Sequence, residues 1–174
     1  MELEEMIKQK AGEVGFDLIG ITTAEKFSDE YRRLKKRKAD NTLSPFLNDN
    51  IELLTTPRKH MESARSIIAL ALSYATENLY NKEYKISIYA KGKDYHRVME
   101  TKMNNLSNYI ENIKEGIKTI SYVDTGPLLD RAVAQRAGLG WIGKNNNLIN
   151  PKFGSFLFLG EIITNLKLNP DTPM

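Results

Sequence analysis

Residues 122–145 read YVDTGPLLDRAVAQRAGLGWIGKN, and this stretch decides how the rest of the chain is interpreted. Its pattern predicts the end of a strand, an acidic residue, the start of a helix and a glycine-rich loop. The only tryptophan of the chain, Trp141, lies among the three glycines of that loop. Because glycine lets a backbone approach another group closely, the segment is typical of a surface that lies against a ligand.

The glycine loop matches two nucleotide-binding motifs in spacing but not in context. Gly138, Gly140 and Gly143 match the dinucleotide fingerprint, and the run from Gly138 to Lys144 matches a phosphate loop. Both motifs have to follow a strand, whereas this one follows a predicted helix, and Asn145 stands where a phosphate loop needs Ser or Thr. The pattern therefore leaves two interpretations, a turn that ends the helix or a loop that contacts another flat or bulky ligand.

Length and composition indicate one globular domain. The chain has 174 residues, of which 41% are hydrophobic, and a net charge of +3. The longest aliphatic run, residues 67–72, is too short to span a bilayer, and the acidic N-terminus is unlike a secretory signal. We therefore expect a cytoplasmic protein without a membrane partner.

The residue types exclude several metal centres. The chain has no cysteine, so it forms no disulfide and offers no thiolate ligand to zinc or to an iron–sulfur cluster. Its two histidines, His60 and His96, are too few for the usual tetrahedral zinc site. No metal site is predicted within this chain.

Hydrophobic periodicity and turn residues predict an α+β fold, with a mixed sheet of about four or five strands flanked by helices. The ligand surface is expected at the strand ends near Asp124. The predicted helices cover residues 2–14, 25–40, 95–117 and about 127–137, with a short one in the loop 41–57. The predicted strands cover residues 16–21, 66–74, 84–89, 119–123 and 155–164, the last broken at Gly160.

A basic run occupies six of the seven positions from 32 to 38 on the second predicted helix. One interpretation is a solvated helix face, and the other is a contact with nucleic-acid phosphates. The candidate phosphate contacts are Arg32, Arg33, Lys35, Lys36, Arg37 and Lys38.

Asp124 has two interpretations. Asp124 or Thr125 suits the N-cap of the following helix, where a side-chain oxygen accepts backbone N–H bonds. Alternatively, Asp124 is a catalytic acid. The two roles conflict because a helix N-terminus lowers the pKa of a carboxyl, whereas a proton donor near neutral pH needs a raised pKa. Burial, for example beneath a large cofactor, would favour the acid. For Asp130 and Arg131, inside the predicted helix, we expect salt bridges.

A second polar cluster, YAKGKDYH at residues 89–96, joins the predicted strand 84–89 to the predicted helix 95–117. Asp94 is a candidate N-cap of that helix. A histidine at such a junction usually caps or packs, and His96 has either this role or that of a ligand.

Five segments together resemble the epoxyqueuosine reductase family. They are YAKGKDYH at 89–96, VDTGPLLDR at 123–131, GLGWIGKN at 138–145, GSFLFLGE at 154–161 and ARSII at 64–68. The order and spacing of the first four agree with the family, which makes the resemblance more specific than either glycine motif, and the upstream segment at 64–68 also fits. It covers about residues 60–168 well and the N-terminal helices loosely.

The resemblance implies an enzyme that reduces the epoxide of epoxyqueuosine in tRNA to give queuosine. Such enzymes use cobalamin, held by an N-terminal domain akin to the corrinoid-binding domain of reductive dehalogenases. Asp124 would protonate the opening epoxide oxygen. The implied cofactor-binding residues are Tyr89, Tyr95, His96, Thr125, Gly138, Gly140, Trp141, Gly143 and Lys144.

One departure from the family is large. In the family, a cysteine-rich module with two [4Fe–4S] clusters follows at about the point where this chain stops, and this chain has no cysteine. We expect residues 1–168 to be the cobalamin-binding catalytic domain and residues 169–174 to begin a linker. Electrons would come from the missing module or a redox partner, so this fragment is not expected to turn over on its own. The alternatives are a non-catalytic RNA- or partner-binding domain that uses the basic run, and a flavin or nucleotide oxidoreductase, which the helix before the glycines disfavours.

Overall fold

A computed structural model describes residues 2–75, 86–124 and 126–174. Two short 3-10 turns, Pro57–Lys59 and Ile88–Ala90, accompany the main elements. In the described part of the chain, none of the helices is long and apolar enough to cross a membrane. The elements are α1 (Leu3–Glu13), β1 (Leu18–Thr23), α2 (Ser28–Ala39), α3 (Ile51–Thr55), β2 (Ser66–Ser73), α4 (Tyr95–Glu111), β3 (Thr119–Val123), α5 (Asp130–Arg136), β4 (Trp141–Ile142), β5 (Leu148–Ile149) and β6 (Leu157–Thr164).

Among the described residues, the main sheet has four strands in the order β1-β2-β6-β3, and β4 with β5 forms a separate two-stranded sheet. The α+β class, the strand number and the flanking helices are thus as predicted. The pairing is antiparallel throughout rather than mixed. The connection from β2 to β3 passes through α4, and these two strands run in the same direction. They do not pair with each other, because β6 lies between them and is antiparallel to both. The arrangement is a split β-α-β unit.

Helices cover both faces of the sheet. Even-numbered residues of β6, such as Ile162, face α1 and α4, whereas Ile163 faces α5. The inner face of α4 carries a stripe of apolar side chains, of which Met99, Met103, Leu106 and Ile110 are completely buried. The helix ends at Glu111, earlier than predicted, and Gly116, with a φ of 85°, turns the chain before β3.

Three further predictions differ from the structure. The fifth helix begins at Asp130 rather than near Pro127, because residues 126–129 form an irregular turn. The strand predicted over 84–89 lies partly outside the described residues, and its described end enters the 3-10 turn Ile88–Ala90. Gly160 does not break β6. Its missing side chain makes room for Met99 and Met103, each 3.0 Å from where a Cβ would be.

The C-terminal segment lies against the free edge of β1. The backbone N–H of Asp171 donates to the carbonyl of Ile21 at 2.8 Å, and the Asp171 carboxylate accepts the N–H of Ile21 at 2.8 Å. Lys8 forms an ion pair with the same carboxylate, and Leu168 is buried. The segment predicted to begin a linker is therefore packed onto the domain.

We predict that Gly20→Ala destabilises the fold strongly. A Cβ on Gly20 would lie 2.0 Å from the backbone carbonyl oxygen of Ala137, so β1 and the end of α5 would have to separate. We expect a loss of about 3 kcal/mol or more in the free energy of unfolding, measured by urea denaturation.

Gly12→Ala is the matched control for this substitution. Nothing lies within 4 Å of a Cβ on Gly12, which is inside α1. Because alanine favours helix over glycine, this variant should gain roughly 0.5–1 kcal/mol. Equal stability of the two variants would contradict the packing described here.

Candidate active site

A cavity of about 850 Å³ opens beside the ends of β3 and β6. Its walls come from α2, from the turn between β3 and α5, from the β4–β5 region and from β6. Leu157, Phe158 and Ile142 supply apolar surface, whereas Asp124, Asp130 and Arg33 supply charge. The cavity therefore combines a broad apolar surface with carboxyl groups, at the strand ends where a ligand surface was predicted.

Asp124 follows β3 directly and lines this cavity. Its φ of 52° is left-handed, a conformation that few residues other than glycine adopt. The side chain is 58% exposed, and its Oδ2 accepts a hydrogen bond of 2.5 Å from the Tyr95 hydroxyl. His96 Nε2 lies 3.7 Å from the same oxygen. Strained backbone of this kind is frequent at functional sites.

Asp124 does not cap a helix. The helix that follows starts at Asp130, six residues later, and its N-cap residue is Leu129, which makes no side-chain capping bond. The capping interpretation is therefore wrong for Asp124, and Thr125 lies outside the described residues. The intervening turn leaves the Asp124 carboxylate at the cavity.

Tyr95 is held by ring stacking on both faces. Its ring lies 4.0 Å from the Phe158 ring, with the two planes 1° apart, and 4.0 Å from the His96 ring. Asp94 caps α4 as predicted, accepting the backbone N–H of His96 at 3.0 Å and contacting its ring Nδ1 at 2.9 Å. Burial and the nearby Asp124 carboxylate raise the pKa of Tyr95, so its hydroxyl remains a donor at neutral pH.

Two further carboxyls lie behind Asp124. Glu161 on β6 is 1% exposed, and burial raises its pKa well above the usual range, with the charges of Asp130 and Asp124 adding to the effect. Burial and the charge of Asp124 raise the pKa of Asp130 to about 7. The expected salt bridge of Asp130 is absent among the described residues, and Arg131 donates to the backbone carbonyl of Asn146 instead.

The predicted glycine loop contains β4, and its glycines pack against Ile149 of β5 and against the C-terminal segment. A Cβ on Gly140 would lie 2.2 Å from the carbonyl oxygen of Ile149, and one on Gly143 would lie 2.4 Å from the Ile149 side chain. Gly138 has a φ of 78°, and its Cβ would lie 2.6 Å from the carbonyl oxygen of Thr172. The close approach that these glycines permit is thus to the chain itself.

The other predicted contacts fall in different places. Of the described loop residues, Ile142 lines the cavity, while Trp141 is 41% exposed and Lys144 is also exposed. Tyr89 is exposed in the 3-10 turn. The structure brings together Asp124, Tyr95 and His96, and the cofactor roles of all these residues stay predictions.

The basic run lies on α2, and several of its members have partners on the chain. Arg32 pairs with Asp29, Arg33 with Glu30 at 2.6 Å, and Lys38 approaches Asp49 at 3.4 Å. Arg33 and Arg37, one turn apart, line the cavity. The run therefore contributes positive charge to the cavity as well as a solvated face.

Sequence reasoning missed Glu161, Asp130 and Phe158 as parts of this site. The available signal was a single carboxylic acid in the apolar strand sequence LFLGEIIT. A charged residue inside a buried strand is uncommon unless it has a specific environment. In the described part of the chain, no group of three or more His, Cys, Asp or Glu is arranged to hold a metal ion.

Comparison with known proteins gives consistent matches. The family described as "Epoxyqueuosine reductase QueG, DUF1730" matches residues 55–125. The epoxyqueuosine reductase of Leadbetterella byssophila is 39% identical over 97% of this chain and 57% of its own length. That of Bacillus subtilis is 38% identical over 99% of this chain and 47% of its own length. The chain spans about half the length of the curated relatives it matches.

Solved structures agree with these matches. Epoxyqueuosine reductase from Streptococcus thermophilus has a TM-score of 0.90, with 37% identity over 100% of this chain and 49% of its own. An epoxyqueuosine reductase with an epoxyqueuosine-modified tRNA-Tyr stem loop has a TM-score of 0.91, with 37% identity over 99% of this chain and 48% of its own. A reductive dehalogenase, 17% identical over 98% of this chain and 20% of its own, has a TM-score of 0.65 and shares the fold. The resemblance to the epoxyqueuosine reductase family is confirmed.

We predict that Asp124→Asn lowers the pKa of Tyr95 toward its ordinary value. After burial, the hydrogen bond to Asp124 and the charge of Asp124 are the main causes that raise this pKa. Ultraviolet difference titration should therefore show one tyrosine that ionises at lower pH in the variant. Tyr95→Phe, which removes that tyrosine, is the control, and an unchanged titration in Asp124→Asn would contradict the contact.

We predict that Asp130→Asn flattens the dependence of stability on pH. The pKa of Asp130 is about 7 in the folded chain against an ordinary 3.8, so between these values only the unfolded chain releases the proton. The free energy of unfolding of the wild type therefore falls as pH rises through this window. From about pH 4 to pH 8, the free energy of unfolding of the wild type, measured by urea denaturation, should fall by on the order of 3 kcal/mol relative to that of the variant. If the free energy of unfolding depended on pH in the same way in the wild type and the variant, burial would not raise the pKa of Asp130 and the prediction would be wrong.

Proposed function

We propose that this chain, homologous to about half of an epoxyqueuosine reductase, binds a corrinoid and donates a proton during reduction of epoxyqueuosine in tRNA. The observation that carries the proposal is the cavity with Asp124 at its edge, its carboxylate bonded to the stacked Tyr95. The names of the relatives supply the substrate, because each is called an epoxyqueuosine reductase. A tRNA substrate is also consistent with the cytoplasmic location that we expect for this protein.

The apolar lining of the cavity supports the binding of a corrin ring in it. Leu157, Phe158 and Ile142 line it, and its volume of about 850 Å³ is within the range of small-molecule sites. Tyr95 and His96 lie at the same end as Asp124 and would contact the ring or its substituents. A bound corrinoid would supply the reducing electrons, which iron–sulfur clusters outside this chain would provide to it.

Asp124 would act as the general acid. Opening an epoxide places negative charge on its oxygen, and a positioned carboxylic acid neutralises that charge by proton transfer. Tyr95 fixes the direction of the Asp124 carboxyl group through its hydroxyl hydrogen bond. The left-handed φ of Asp124 turns the chain sharply after β3, which keeps this group beside the cavity.

The tRNA would approach from the side of α2. Arg33 and Arg37 lie in the cavity wall on this helix and offer positive charge to phosphates. Binding by this face alone, without corrinoid uptake, would instead support a non-catalytic RNA-binding domain. Such binding would weaken steeply as the salt concentration rises.

Corrinoid binding can be tested by filling the cavity. We expect the wild-type chain to retain cobalamin through gel filtration, detected by its visible absorption. Ser155→Trp places a large side chain in the cavity wall and should reduce retention at least about tenfold. Asn104→Trp, on the exposed outer face of α4, is the matched control and should bind as the wild type does. Retention unaffected by Ser155→Trp would place the corrinoid elsewhere.

The acid role can be tested with Asp124→Asn. With cobalamin, titanium(III) citrate as electron source and an epoxyqueuosine-containing tRNA stem loop, the variant should lose about 100-fold or more in reduction rate. Cobalamin retention should be unchanged because the two side chains have nearly the same shape. The product is measured by mass spectrometry of the digested RNA. A rate equal to that of the wild type would remove the acid role from Asp124.

A further inference from the structure

Within the described part of the chain, Glu161 and Asp130 each have one side-chain oxygen without a hydrogen-bond partner. Glu161 Oε1 and Asp130 Oδ1 are buried, and neither has a hydrogen-bond partner among the described residues. Glu161 is 1% exposed on the central strand β6, opposite Ala69 on β2 and Tyr122 on β3. An unpaired carboxylate is so unfavourable in such a place that the group takes up a proton instead.

Both carboxyls adjoin the proposed active site. Glu161 Oε1 lies 3.3 Å from the position that a Cβ on Gly126 would occupy, two residues after Asp124. Gly126 and Asp130 line the same cavity as Asp124. The three carboxyl groups therefore surround one short turn, with Asp124 at the cavity and Glu161 buried behind it.

The groups that face this turn favour protonated carboxyls. Tyr122 from β3 points its hydroxyl to His60 Nδ1 at 3.5 Å, and Ala69 from β2 carries no charge. Arg131 from α5 donates to a backbone carbonyl, and its positive charge, which acts to lower the pKa of Asp130, is outweighed by burial and by the charge of Asp124. Burial and the charge of Asp124 raise the pKa of Asp130 to about 7. At neutral pH, the pair thus retains at least one proton that an exposed pair of acids would release.

The reaction needs more protons than one carboxyl holds. This step rests on the proposed function. Removal of the epoxide oxygen breaks both of its C–O bonds and forms a C=C bond between the two carbons. The oxygen leaves as water, which consumes two electrons from the external reductant and two protons. Asp124 alone carries one proton at a time.

We propose that Glu161 and Asp130 form an internal proton reserve that recharges Asp124 within a single turnover. Asp124 gives its proton to the opening epoxide oxygen, and a proton then passes from Glu161 to Asp130 and on to the Asp124 carboxylate. Asp124 delivers this second proton to the same oxygen, which departs as water. Solvent restores the proton of the buried pair after product release. Only Asp124 gives protons to the epoxide oxygen. Glu161 and Asp130 act through Asp124 alone and are therefore positioning residues and not catalytic residues.

The reserve has a spectroscopic signature that requires no cofactor. The wild-type chain at pH 7 should show the infrared C=O stretch of a protonated carboxylic acid, shifted in D₂O. Glu161→Gln, nearly identical in shape, should remove this band, and Asp130→Asn should move it. Glu100→Gln, on the exposed face of α4, is the control. Absence of the band from the wild type, or its persistence unchanged in both variants, would overturn the proposal.

The relay also predicts a kinetic effect. In the titanium(III)-driven assay, Glu161→Gln should reduce single-turnover rates at least about tenfold and increase the solvent isotope effect, with cobalamin retention unchanged. Asp130→Asn should act in the same direction, which covers the case that one variant folds poorly. Loss of the band without a change in rate overturns the relay alone. A wild type that shows the band but neither retains cobalamin nor reduces the epoxide overturns the proposed function, and the catalytic use of the reserve with it.

Discussion

The insertion of β6 between β2 and β3 is the constraint on which the structure depends. This strand is the last of the described strands, yet it holds the sheet together by pairing with β2 along its whole length and with β3 from Gly160 to Thr164. Its alternating side chains face two different cores, one beneath α1 and α4 and the other beneath α5. The same alternation directs Phe158 toward Tyr95 and Glu161 toward the turn that carries Asp124. Core and candidate site thus share one element.

Within the site, stacking and charge have separate roles. Aromatic stacking between Phe158, Tyr95 and His96 fixes the donor that orients the Asp124 carboxylate. Low polarity around Glu161 and Asp130 raises their pKa values and favours their neutral forms. Both arrangements consist of contacts between described residues of this chain, and fixed contacts of this kind are how a fold orients a polar group in advance.

Sequence reasoning found the elements with strong periodicity and the residues next to them. The strands β2 and β3, the helix α4 and the cap at Asp94 follow from local patterns, whereas the grouping of Asp124 with Tyr95 and His96 in one site was implied by the family resemblance. The position of β6 in the sheet does not, because strand order is set by packing between distant segments. Local pattern also could not separate a glycine that contacts a ligand from one that contacts its own chain. Gly140 and Gly143 are of the second kind in the described structure, since Ile149 occupies the space beside them. Glu161 was missed because burial of a lone acid becomes evident only once the neighbouring strands and α5 are in place.

The contact between Asp171 and Ile21 has a consequence for the behaviour of the protein in solution. β1 is an outer strand of the sheet, and the outward N–H and C=O groups of such a strand can pair with a strand of another molecule. At Ile21 both groups are already bonded to Asp171, and Lys8 holds the carboxylate in place. The C-terminal segment therefore covers part of this strand edge, and its removal would expose the N–H and C=O groups of Ile21 to pairing with a strand of another molecule.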